Sequence, residues 1–191
     1  AFLVSKAEFI LNAQKKFALQ EQYKPQPKQY VSGETFYLQG RALRLKVIRA
    51  SKEQLYSDGV HLFLEVKDPQ DFSKKERMVM RFFDRQCKEV FGEIVEELYP
   101  VFQKYGVAVP SLRIRSMDTR WGSCLPGKGV ITLNKRLLEA PRNCIEYVVM
   151  HELCHFIHPN HSKHFYAFLS MLMPDWKERK KVLDANDTYY L

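Results

Sequence analysis

Five of the chain's six histidines, His151, His155, His158, His161 and His164, fall in the stretch HELCHFIHPNHSKH. Imidazoles gathered this closely point to a metal. In HELCH, His151 and His155 are four residues apart, and over four residues an α-helix turns by about 400° and rises about 6 Å. Both rings then project from one face and can share one ion. A catalytic zinc takes three protein ligands and keeps a fourth position for water. Glu152 points about 100° away from His151, which suits a carboxylate that takes a proton from water better than one that binds the ion.

Three residues compete to be the third ligand. His158 lies on the same face as His151 but about 10 Å further along a straight helix, whereas a tetrahedral site needs a ligand arriving from another direction. Pro159 cannot continue a helix and pushes His158 out of the helical region. The helix is therefore expected to end near Ile157, and the turn through HPN to bring His161 back across the ion. His161 stands ten residues after His151, the spacing at which a bend delivers a third imidazole in HExxHxxGxxH sites. It is the preferred ligand, with His158 and His164 as alternatives; His164 could instead face the cleft.

The metal-bearing helix must sit in a fold. Pro141 suits its first position, where a missing N–H costs nothing, and Ile145, Val148, Val149, Leu153 and Phe156 give it an apolar surface. Upstream, Val79, Phe83, Cys87, Val90, Phe91, Ile94, Leu98 and Phe102 recur at helical spacing, with Ser73 and Glu76 spaced as a capping box. Pro100 should interrupt that helix and Gly106 stop it. ETFYLQGRALRLKVIRA and VHLFLEV alternate as paired antiparallel strands. SLRIRSM and GVITLN are two further strands, with PGKG as the turn between them.

With 191 residues the chain can bury its own core, and no apolar run is long enough to span a membrane. Its four cysteines form no CxxC pair, which fits a reducing cytoplasm, and no targeting signal is expected. Residues 1–50 hold nine Lys or Arg against three Glu, so the front end carries +6 of the net +8. That segment opens with an amphipathic pattern and continues through Pro25 and Pro27, suggesting a basic arm (1–28) ahead of a catalytic domain (29–191). Clustered cations attract phosphates, so nucleic acid is an expected partner beside a peptide or protein substrate.

The blocks TRWGSC with ITLN, and HELCH with NHS, resemble those of the YgjP-like metallopeptidase family, related to SprT-like zincins. The resemblance runs from about residue 30 to about residue 185. It implies an α+β, zincin-like fold of antiparallel strands, a long core helix and a C-terminal helical half that carries the active site. It also implies Zn2+ held by His151, His155 and His161, with Glu152 as general base. The family often has Trp where Tyr166 follows Phe165, so Tyr166 stands as an altered cleft wall. Arg120 and Trp121 either pack beneath the helix or rim the cleft, where Arg120 could hold a carboxylate or phosphate. The rival reading is a nucleic-acid-associated module whose metal site is structural, closed by His158 or Cys154.

Overall fold

The computed structural model describes Leu11 and residues 27–186. Nearly all of the basic arm, with its expected opening helix, lies outside the described residues. The α+β class is as expected, with two small mixed sheets and five α-helices among the described residues.

The first sheet contains β1 (Thr35–Leu38), β2 (Arg41–Arg49), β3 (Gln54–Ser57) and β4 (His61–Val66), in the order β1-β2-β4-β3. Here the expectation of antiparallel pairing between β2 and β4 is corrected. The two are parallel, with Leu45 opposite Leu62 and Val47 opposite Leu64. The antiparallel partners are β1 with β2 and β3 with β4. Asp58 and Gly59 close the second of these hairpins, which the chain enters through β3. Leu43, Leu45, Leu62, Leu64 and Val66 are buried against Val79 and Phe82 of the long helix α1 (Phe72–Leu98).

At about 1.5 Å per residue, the 27 residues of α1 extend about 40 Å, long enough to serve two cores. Its first half covers the first sheet, and Cys87, Val90, Phe91, Ile94 and Val95 enter the second core. The cap is Asp71, whose carboxylate accepts from the Lys74 amide at 2.9 Å, and not the Ser73/Glu76 box. Ser73 and Glu76 are already inside the helix. Pro100 ends α1 as expected and opens the four-residue α2 (Pro100–Gln103), beyond which Gly106 takes φ 77°.

The second sheet has the order β5-β7-β6, from β5 (Ser111–Arg115), β6 (Gly122–Leu125) and β7 (Val130–Asn134). A second correction applies. Residues 126–129 join β6 to β7, while β5 pairs with β7 in parallel on the other side. Strand β6 is the sheet's edge and packs beside the helix that carries the HELCH segment.

That helix, α3 (Arg142–Cys154), starts one residue later and ends three residues earlier than expected. Pro141 caps it rather than opening it, its carbonyl accepting from the Cys144 and Ile145 amides. His155 closes it, and Phe156 and Ile157 continue in tighter turns onto Leu153 and Cys154. Two helices follow, α4 (Lys163–Leu172) and α5 (Trp176–Asn186). No helix among the described residues is long and apolar enough to cross a membrane.

The β1–β2 turn holds the start of α3 in place. The Gln39 and Gly40 amides donate to Leu138 and Glu139 carbonyls, and a Cβ on Gly40 would lie 2.9 Å from Pro141 Cγ. Gly40 also has φ 78°. Gly40→Ala therefore combines left-handed backbone strain with a clash, and is expected to cost about 1–3 kcal/mol. Urea unfolding should show a lower midpoint at unchanged slope; an unchanged midpoint would disprove the docking role.

Candidate metal centre

One helix and one loop bring the donors together. His151 lies in the last turn of α3, His155 is the residue that caps its end, and His161 comes from the loop before α4. That loop is held by Ser162, whose hydroxyl accepts from the Phe165 amide and caps α4. One ligand atom from each of the three histidines falls within 4.8 Å of the others, and Nε2 of His151 and Nε2 of His161 are 2.9 Å apart. Phe165, fully buried, lies beneath all three rings, with centroid distances of 4.9, 4.7 and 4.9 Å to His151, His155 and His161.

This donor set fits a divalent metal. Two unprotonated Nε2 atoms at 2.9 Å turn lone pairs toward each other unless a cation or proton lies between them. The charged form of His151 is disfavoured, because burial, and then the neighbouring His155, His161 and Lys180, hold its pKa down at about 3, and the neutral ring is the form that binds a metal. His155 directs Nδ1 at the His158 carbonyl, 3.2 Å away, which leaves Nε2 for an ion. Its pKa too is lowered, first by burial. His151 Nδ1 is buried without a hydrogen-bond partner among the described residues, so no hydrogen bond on that side orients the ring.

His158 is not among the three. Its carbonyl serves His155 and its ring packs on Phe168 at 5.4 Å. His164 is exposed on α4, outside the triad. Cys154 is fully buried in the core.

Glu152 is only 6% exposed and meets the β6 backbone. A Cβ on Gly122 would stand 2.7 Å from its Oε1, so only glycine allows the strand to pass this close. Burial raises the Glu152 carboxyl to about 8, with the Arg120 charge acting in the opposite direction.

Trp121 is half-buried against the second core, and the Arg136 guanidinium lies over its ring at 5.4 Å. Tyr166 is 40% exposed and stands between His161 and Trp176, with ring centroids 6.1 and 5.4 Å away.

Two residues escaped the sequence reading. Phe165 follows the last histidine directly, and the sequence reading gives it no role of its own. Asn134 is 2% exposed and makes four hydrogen bonds: Nδ2 donates to Met117 and Arg120 carbonyls, and Oδ1 accepts from Met117 and Arg136 amides. Its place at the end of ITLN was the only signal. The strand-like pattern gave no hint that its side chain would fasten the loop before β6.

A helix-borne pair of histidines with a buried glutamate between them and a third histidine arriving from a loop is the arrangement of HExxH metallopeptidases. The chain belongs to the YgjP-like metallopeptidase family, whose model matches residues 1–186. It is similar to the metallopeptidase zymogen jannalysin of Methanocaldococcus jannaschii, a crystal structure with 22% sequence identity and a TM-score of 0.42. That similarity covers 50% of this chain and 88% of the other. No curated protein matches the chain.

Gly122→Ala tests the close approach. The added methyl must displace Glu152 or the edge strand, and overpacking of this kind costs about 1–3 kcal/mol. The expected result is a lower unfolding midpoint with unchanged metal content, since the three histidines are not touched. Unaltered stability would show that Glu152 does not lie against β6 in solution.

Proposed function

We propose that the protein is a zinc-dependent peptidase that cleaves amide bonds with water. The observation that carries this reading is the buried Glu152 beside three imidazole nitrogens gathered within 4.8 Å. His151, His155 and His161 hold the metal, and nitrogen donors in this number favour zinc. Bound there, zinc polarises the scissile carbonyl and lowers the pKa of water.

The remaining chemistry belongs to the chain. Glu152 accepts the proton of the attacking water at a carboxylate oxygen and passes it to the nitrogen of the departing amine. Its burial against β6 fixes where that carboxylate stands. Gly122 lets the carboxylate lie against β6, whose outer edge carries unpaired backbone groups that suit an extended peptide. Tyr166 and Trp176 form an aromatic wall on the His161 side. The four cysteines are free, which suits a reducing cytoplasm.

Purified protein loaded with metal should hold about one equivalent of zinc. His151→Ala, His155→Ala and His161→Ala should each lose most of it, and His158→Ala should keep it. Retention by His161→Ala with loss in His158→Ala would overturn the third ligand. Glu152→Gln should keep the metal and lose about 10²–10⁴ in kcat on any peptide the parent cleaves, because an amide cannot take the proton. Full activity in that variant would remove Glu152 from the mechanism.

A further inference from the structure

The peptidase reading leaves Arg120, a cation at the entry to β6, without a task. Arg120 is exposed and makes no ion pair with any described residue. It stands two residues before Gly122, where the strand touches Glu152, and the chain bends between them at Trp121. Two other cations in this region are engaged. Lys180, whose charge reaches His151, is paired with Asp184, and Arg136 lies over Trp121.

The backbone that bears Arg120 is held firmly. Asn134 Nδ2 donates to the Arg120 carbonyl at 2.9 Å and to the Met117 carbonyl at 2.7 Å, while the Asn134 amide donates to the Trp121 carbonyl at 2.9 Å. Three contacts from one buried residue fix the loop from Met117 to Trp121 against the end of β7. Such anchoring sets where the guanidinium starts, and the exposed side chain is open to a ligand. A guanidinium presents planar N–H donors that match a carboxylate in two parallel bonds.

We propose that Arg120 recognises a carboxylate of the substrate next to the scissile bond, and that Asn134 is the positioning residue that holds it there. This rests on the peptidase reading above and names its substrate class: peptides with an acidic side chain or a free C-terminus near the cleaved bond. A carboxylate there answers a cation that the described residues leave unpaired. Binding it beside the metal also fixes the register of an extended chain on β6.

The test uses the full chain, loaded with zinc, and short peptides in matched versions: Glu or Gln beside the scissile bond, and a free or amidated C-terminus. Cleavage is followed with the parent protein, Arg120→Gln, Arg120→Lys and Asn134→Ala, and binding of the same peptides is followed by fluorescence polarisation on the Glu152→Gln protein with and without Arg120→Gln. The expected result is a preference of about tenfold in kcat/KM for one carboxylate version, lost in Arg120→Gln and partly kept in Arg120→Lys. The version preferred identifies a side chain or a terminus as the source. Asn134→Ala should weaken the preference while leaving the zinc content intact. Cleavage with equal rates for all versions, or a preference indifferent to Arg120, overturns the proposal and leaves the peptidase standing. Arg120-dependent binding of the carboxylate version without cleavage keeps the subsite and removes the peptidase reading. Neither cleavage nor carboxylate-selective binding removes both.

Discussion

Helix α3 is buried almost all round, and the rest of the structure follows from that. Cys144, Ile145, Val148, Val149, Met150, Leu153 and Cys154 all lie in the second core, under β7, α1, α4 and α5. A helix with so little solvent on any side has no polar face in the usual sense, and its polar residues must find partners inside. Glu152 is the result: a carboxyl kept from water, held against a strand that must be glycine at the point of contact. His151 is held neutral by the same burial, the form in which an imidazole binds a metal.

Fixing such a helix takes contacts at both ends. At its start Arg142 reaches Glu93 and Glu97 on α1 and Glu146 one turn on, with both oxygens of Glu97 accepting at 2.8 and 2.7 Å. Glu146 in turn accepts from Arg179 of α5. These pairs are half-exposed and each adds little to stability. Their geometry matters more, since the Arg142 guanidinium ties α3 to α1 and the Arg179 guanidinium, through Glu146, ties it to α5. The end of the helix is fixed differently. His155 bonds to the His158 carbonyl, and the His158 amide returns to Cys154. His158 therefore shapes the bend through its backbone, and its ring is left to pack on Phe168.

Much of the site was legible because its signals are local. Spacing in HELCH, the proline after His158 and the ten-residue step to His161 each constrain a short piece of backbone. Alternation in β2 and β4 was also legible, but it reports only which face is buried, and parallel and antiparallel strands alternate alike. The direction depended on β3, a four-residue strand with too few residues to show a pattern. GSCL was likewise too short to displace the better-patterned SLRIRSM as the expected partner in the hairpin with β7. The cap of α1 was misplaced because Ser73 and Glu76 have the right spacing two residues inside the true start. Asn134 was missed for a deeper reason: its four bonds join positions 14 to 17 residues away as well as its neighbour. Nothing in a single strand's pattern specifies them.

The way the three histidines are divided between elements has a physical consequence for folding. His151 and His155 come from a helix that the core already fixes, and their spacing is set before any ion arrives. His161 comes from a loop anchored by the bend after Cys154 and the Ser162 cap of α4. An ion joined to all three therefore links the end of α3 to the start of α4, and binding free energy that depends on this arrangement adds to the stability of the arrangement itself. Phe165 makes the link stiff. It is fully buried and touches all three rings, so α4 cannot shift along α3 without moving the floor of the site. Metal affinity and the packing of α4 are for this reason one quantity seen from two sides: loosening Phe165 must weaken the site, and filling the site must tighten α4.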